Sequence, residues 1–134
     1  LKGEKMENYV EYLPIDKHDF ERVKRLKKLD RKELLSVLPG LMEWIQDMNW
    51  PIAEEVAELL LTCPNEIVPL IKEVLATNDD VRKYWCLIIL VKRLPEDLRM
   101  QFKKNLIRLV ESPTAGEKLE ELDEISVEIL QMIE

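Results

Sequence analysis

The chain predicts an all-α fold, a right-handed stack of antiparallel helical hairpins within a single domain. Three observations carry that expectation. Apolar residues recur at three- and four-residue steps along most of the length, no stretch shows clean strand alternation, and two successive segments echo one another. With 134 residues, 46% of them hydrophobic, the chain is long enough to bury one sizeable core, although aromatic content is only 6%. The reading assigns residues 1–14 to an N-terminal tail and 15–134 to the helical domain.

In that tail, Tyr9, Val10, Tyr12 and Leu13 are apolar enough to lie against the body. The first clear helix follows Asp16 or Asp19 as cap, with Phe20, Val23 and Leu26 on one side and Lys24, Lys27 and Lys28 on the other. Asp30 caps the next, its spacing to Glu33 being that of a capping box. Leu34, Leu38, Leu41 and Ile45 then share one face. Pro39 with Gly40 is expected to kink or restart this helix, since an interior proline removes a hydrogen bond. After the corner W-I-Q-D-M-N-W-P, Asn49 is the expected cap of a helix whose inner face is Ile52, Val56, Leu59, Leu60 and Cys63 and whose outer face is Glu54, Glu55 and Glu58.

Pro64 with Asn65 opens a helix through Ile67, Leu70, Ile71, Val74 and Leu75. Asn78 and Asp79 cap the following one, where Val81, Trp85 and Ile88 mark the expected core face before C-L-I-I-L-V turns it apolar all round. Pro95 begins a helix with Leu98, Phe102, Leu106 and Leu109 inward and Arg99, Lys103, Lys104 and Arg108 outward. Leu119, Leu122, Ile125, Ile129 and Ile133 set a last helix under an acidic coat, so that Glu117, Glu120, Glu121 and Asp123 read as a solvated face.

The echo lies between Asn49–Thr77 and 78–112. Each opens at an asparagine, runs a helix, turns through Pro64 or Pro95 and runs a second helix. Hairpins of this size that cannot bury both faces alone point to a HEAT-like α-α superhelix, with an ordinary helical bundle as the alternative.

The net charge of −7 is unevenly spread. Residues 17–32 hold eight Lys and Arg, 43–80 hold nine acids against Lys72, 82–108 hold eight Lys and Arg against Glu96 and Asp97, and 111–134 hold eight acids against Lys118. Alternating blocks of this kind suit attraction between neighbouring helices, each exposed pair contributing roughly 0.2–1 kcal/mol. Cys63 and Cys86 are the only cysteines and sit in apolar helical runs, which reads as buried reduced thiols and a cytoplasmic chain. The longest apolar run, 86–91, is far shorter than the roughly 20 residues that span a bilayer, and L-K-G-E-K-M-E-N has no signal core, so no membrane is expected.

Two of the three tryptophans fall in the corner, where Trp44 is one residue off the Leu41–Ile45 face and Trp50 follows the turn. Asp47 sits where the helix dipole disfavours an acid, so something compensates. One reading has it accept backbone N–H groups of Asn49 or Trp50 in a turn. The other has Gln46, Asp47 and Asn49 line a recognition surface with Trp44, Trp50, Lys83 and Tyr84, brought to one rim by stacking of hairpins. Lys83 and Tyr84 read by themselves as a snorkelling surface lysine and a rim tyrosine.

The corner W-I-Q-D-M-N-W-P-I-A, K-Y-W at 83–85, L-P-I-D-K-H-D at 13–19 and S-P-T-A-G-E-K-L-E-E-L-D at 112–123 resemble a small bacterial family of unknown function, a HEAT-like or armadillo-like helical domain. The resemblance covers Leu13 to Leu130 and implies a fold but no activity. The chain departs from the family's pattern at Arg82, where similar sequences often carry tryptophan.

Catalytic chemistry finds little to stand on, and an uncharacterised enzyme acting through Asp47 is kept only as a third reading. One histidine, His18, and two distant cysteines cannot build a zinc site, and no nucleophile elbow, P-loop or dinucleotide fingerprint occurs. No cofactor, metal or catalytic residue is expected. The function that remains is a protein interaction module, adaptor- or immunity-like, with an unidentified protein partner and the Trp50 edge or concave face as contact. The alternative is nucleic-acid binding through the basic 82–108 segment, against which the sequence pI of about 4.9 argues.

Overall fold

The computed structural model describes residues 10–133, and every regular element among them is helical. The tail reading of residues 1–9 lies outside the described residues. No helix among the described residues is long and apolar enough to cross a membrane. The chain gathers into two compact units that part between Cys63 and Pro64. That division falls inside the first of the two echoing segments, so the helices before and after Pro64 belong to different units.

In the first unit, α1 spans Phe20–Leu26, α2 Arg31–Leu41 with a tightened 3-10 turn over Met42–Ile45, and α3 Ala53–Leu61. Capping is local chemistry and fixes the starts. Asp19 accepts the Arg22 N–H at 3.1 Å, and Asp30 and Glu33 close a reciprocal capping box at 2.8 and 3.3 Å. Pro39 does not restart α2. The helix runs through it and tightens only three residues later, with the proline itself exposed to solvent. Asn49 is not the cap of α3, which starts at Ala53 after Ile52 with no side-chain cap. Val23, Leu26, Leu38, Leu41, Ile45, Ile52, Val56 and Leu60 are buried, whereas Phe20 is exposed.

Residues 10–14 lie against this body. The Arg22 guanidinium donates to the carbonyls of Glu11 and Leu13, and a Cβ on Gly40 would stand 2.6 Å from Leu13 Cδ1. Glycine at 40 is therefore a close-approach residue for the incoming segment. Lys27 pairs with Glu55 at 2.5 Å, one instance of attraction between the basic 17–32 block and the acidic 43–80 block.

In the second unit, α4 spans Pro64–Leu75. α5 runs from Asp80 to Trp85 and widens into a π-helical turn over Cys86–Leu90 before a 3-10 turn at Val91–Arg93. α6 (Glu96–Arg99) passes through a 3-10 turn, Met100–Phe102, into α7 (Lys103–Glu111). α8 is Ala115–Leu119 and α9 is Leu122–Gln131. α7 and α9 form the most extensive helix pair in this unit. Ile67, Ile71, Leu87, Leu90, Phe102, Leu106 and Ile129 are its core. Cys63 and Cys86 are buried free thiols, and burial pushes the Cys86 thiol up to about 12.

Two faces differ from the sequence reading. Val81 is exposed and Trp85 and Ile88 are half-buried, while Lys83, Cys86, Leu87 and Leu90 form the buried row of α5. The buried row thus lies on roughly the opposite side of the helix, about 180° around the axis from the anticipated face. The last helix is also two helices. Glu121 adopts a left-handed backbone, φ 61° and ψ 30°, and this break leaves Leu119 81% exposed instead of inward.

Candidate functional site

The tryptophan corner of the first unit is assembled within a few residues of chain. The Trp44 and Trp50 rings lie 5.8 Å apart, tilted by 59°, a spacing at which aromatic pairs attract, and both are half-buried. Asp47 Oδ1 accepts the Asn49 N–H at 2.8 Å and the Asp47 carbonyl accepts the Trp50 N–H at 3.1 Å. This turn is the compensation that an acid at a helix C-terminus required. Gln46 Nε2 donates to the Glu43 carbonyl at 3.0 Å. Asn49 and Pro51 stand exposed at the rim. Of the residues singled out from the sequence, Trp44, Gln46, Asp47, Asn49 and Trp50 thus meet in one turn.

Lys83 and Tyr84 belong to the second unit. The Tyr84 ring meets Trp85 edge-on, centroids 5.1 Å apart at 77°. Lys83 is not a surface lysine. It is 2% exposed, and its ammonium donates to Glu117 Oε2 at 2.7 Å and contacts Asp80 Oδ1 at 2.8 Å. Glu117, read as solvated, is 1% exposed. The burial has a clear physical reason: Glu117 is the third residue of α8 and closes a capping box with Thr114, at 2.8 and 3.1 Å, which turns its carboxylate back over the helix start. There it also receives both terminal nitrogens of Arg108, at 2.8 and 2.6 Å. Each carboxylate oxygen takes two donors, which fills the acceptor capacity of the group.

The electrostatics follow from this packing. Hydrogen bonds from Arg108, opposed by burial and reinforced by Lys83 and the Thr114 N–H, hold the Glu117 carboxyl well below the usual range. Burial pulls the Lys83 ammonium down, but its bonds to Asp80 and Glu117 outweigh that and raise it above 10.5. Arg108 is likewise raised, mainly by its bond to Glu117. Two cations and two carboxylates form a balanced node, buried at Lys83 and Glu117 and open to solvent at Arg108. Gly116 completes it, since a Cβ there would fall 2.2 Å from Asp80 Oδ2.

The node is one wall of a cleft of about 350 Å³ within the second unit, lined also by Leu75, Asn78, Asn105 and Leu109. Among the described residues no group of acids, cysteines and histidine could hold a metal ion. Sequence reading missed Glu117 as the shared partner of Lys83 and Arg108. The T-x-x-E spacing of Thr114 and Glu117 was a visible signal for the cap, whereas the pairing with Lys83, 34 residues away, had none.

A family model described as a domain of unknown function (DUF5071) matches residues 12–130. The chain belongs to that family. No curated protein matches it.

Proposed function

We propose that this member of a family of unknown function is a protein-recognition module whose contact surface is the Trp44–Trp50 corner. The observation that carries the reading is the tilted pair of half-buried indoles on a turn whose Asp47 is already bonded to the backbone. Such a corner offers rigid aromatic area at small entropic cost, the property that concentrates binding energy in Trp and Tyr at interfaces. Exposed Asn49, Glu54 and Glu58 supply polar and acidic surroundings, so a partner segment with an apolar anchor and basic flanks fits best. A HEAT-like stack in the cytoplasm is the setting this reading assumes, and the buried free thiols support the cytoplasm. Nucleic-acid binding is disfavoured because four of the eight Lys and Arg of the basic 82–108 segment are engaged within the fold. Lys83 and Arg108 hold Glu117, Lys92 pairs with Glu128 at 2.9 Å, and Arg99 donates to the carbonyls of Lys92 and Leu94.

The test compares wild type, Trp50→Ala and a Met100→Ala control as baits in native extract. Proteins retained by wild type and the control but reduced at least about tenfold on Trp50→Ala support the corner, that ratio being the ~1.4 kcal/mol expected of a central aromatic anchor. Equal recovery on all three baits makes the corner architectural. Retention of duplex DNA at about 50 mM salt would revive the nucleic-acid reading.

A further inference from the structure

We infer that residues 11–17 are a strap whose docking completes the tryptophan corner, with Asp19, Arg22 and Gly40 as its positioning residues. For recognition the inference rests on the corner being the contact surface; for the geometry of Trp50 it stands alone. α3 starts at Ala53 with no side-chain cap, so the amides around its first turn need acceptors from elsewhere in the chain. The Ala53 N–H finds the Trp50 carbonyl at 3.0 Å, and the Trp50 N–H finds the Asp47 carbonyl at 3.1 Å. Pro51 has no N–H to offer. Ile52 is fully buried, and its N–H donates at 3.3 Å to the carbonyl of Lys17. An acceptor from outside the corner therefore fixes how Trp50 leads into α3.

That carbonyl is held by a polar hub and not by loose packing. Asp19 Oδ1 accepts the Arg22 N–H as the cap of α1, and its Oδ2 accepts the Ile15 N–H at 3.0 Å. The Asp19 side chain is only 10% exposed. The Arg22 guanidinium, whose Nε lies 3.8 Å from Asp19, donates to the carbonyls of Glu11 and Leu13. Main-chain atoms of Glu11, Leu13 and Ile15 are thereby gripped on one side of Lys17, and α1 begins on the other. Leu13 lies over Gly40, where the lack of a Cβ admits its isobutyl group. The Lys17 side chain is exposed, so the hub sets the backbone position of residue 17 and not a side-chain contact. Every one of these residues belongs to the first unit. Without the strap the buried Ile52 amide loses its acceptor, and the first turn of α3 must shift or admit water, taking Trp50 with it.

The experiment is amide hydrogen exchange and a two-dimensional nitrogen–proton spectrum of the full chain in Gly40→Ala and Arg22→Ala. Alanine at 40 favours the helix but places its methyl group 2.6 Å from Leu13 Cδ1, so it pushes the strap aside without weakening α2. In both variants the Ile15 and Ile52 amides are expected to exchange at least about tenfold faster while those of Leu38 and Leu60 do not change, which separates local release from global unfolding. The indole N–H signals of Trp44 and Trp50 are expected to move and that of Trp85 to stay. On a Leu13→Ala background, Gly40→Ala is expected to add no further change, because the clashing group is gone. Faster exchange at Ile15 with Ile52 and Trp50 unmoved overturns the inference, as does unchanged exchange at Ile15 in both variants. Equal acceleration at Leu38 and Leu60 makes the segment a general stabiliser and overturns it too. In extract capture, Arg22→Ala is expected to lose the proteins that Trp50→Ala loses, and retention at the wild-type level overturns the strap's part in recognition. If wild type captures nothing, the corner fails as a contact surface, and the exchange result still decides the strap.

Discussion

The tryptophan corner and the Lys83 node are both polar constellations set on apolar frames, and they differ in the sequence distance over which they are made. At the corner, Asp47 and Gln46 find their partners two and three residues away, and the side chains stay half in water. At the node, Lys83 and Glu117 are 34 residues apart and withdrawn from solvent, and Arg108 reaches Glu117 across nine. Local pairs make a surface shape that costs little to keep or lose. Distant buried pairs tie α5, α7 and α8 together, and each member depends on the others being charged. The contrast predicts that perturbing the node damages folding and perturbing the corner damages recognition.

The strongest way to break that contrast is to remove Glu117. Glu117→Ala leaves the Lys83 ammonium buried with Asp80 as its main counter-charge, and deleting one partner of a buried pair costs roughly 3–5 kcal/mol. Urea denaturation reads this directly. Replacing the pair together, Lys83→Met with Glu117→Leu, removes the stranded charge and is expected to recover most of the loss. A single-variant loss below about 1 kcal/mol would mean that the node is a surface pair in energetic effect.

The node also sets a pH window. Glu117 ionises far more readily in the folded chain than at its ordinary value of 4.5, so its contribution is fully present above that value and is lost as pH falls below it. Lys83 is raised above 10.5, so its contribution is fully present below that value and is lost as pH rises through its folded value. Stability is therefore expected to fall on the acid side with a slope of up to about 1.4 kcal/mol per pH unit for this one proton. Glu117→Gln is expected to show a shallower acid limb in denaturation midpoints between pH 3 and 6. Identical acid limbs in the two proteins would remove the node from the account.

What the sequence made legible follows the same division. Asp19, Asp30 with Glu33, and Asp79 were readable as caps because a cap is satisfied within three residues, and the inward leucines of α2, α3 and α7 followed from their spacing. The Asp47 turn was one of two readings for the same reason. Lys83 was misplaced because its burial depends on Glu117 and Asp80, and no periodicity shows that one glutamate of an acidic run turns inward. The Trp85 face was misjudged because α5 takes its rotation from that ion pair, while the π-turn after Cys86 changes the residue count per turn. Leu119 was set inward because a left-handed glutamate at 121 has no sequence mark, where glycine or asparagine would have given one.

A milder perturbation sharpens the comparison without deleting a charge. Gly116 admits the Asp80 carboxylate, and a methyl group there would stand 2.2 Å from Oδ2. Gly116→Ala must turn Asp80 aside, which loosens its 2.8 Å contact with Lys83 but leaves Glu117 in place. The expected cost is about 1–2 kcal/mol, well below that of Glu117→Ala and opposite in sign to the usual gain of alanine over glycine in a helix. Gly116→Ala combined with Asp80→Ala is expected to cost less than the two singles added, because one clash and one contact are being counted twice.

At the corner the predicted effect on stability is the smallest. Asp47→Ala removes the acceptor of the Asn49 N–H, a bond between groups with access to water, so about 0.5–1.5 kcal/mol is lost and a few tenths return from relieving the dipole. Asp47→Asn keeps the acceptor, drops the charge and is expected to match or slightly exceed wild type. The pair therefore separates the two roles open to this residue. If the carboxylate serves only the turn, Asp47→Asn leaves partner capture at the wild-type level while Asp47→Ala weakens it by disordering Trp50. If the charge itself meets a basic flank of the partner, Asp47→Asn loses capture while its denaturation curve stays put. A loss of stability in Asp47→Asn as large as that of Glu117→Ala would abolish the distinction between a surface turn and a buried tie on which the comparison stands.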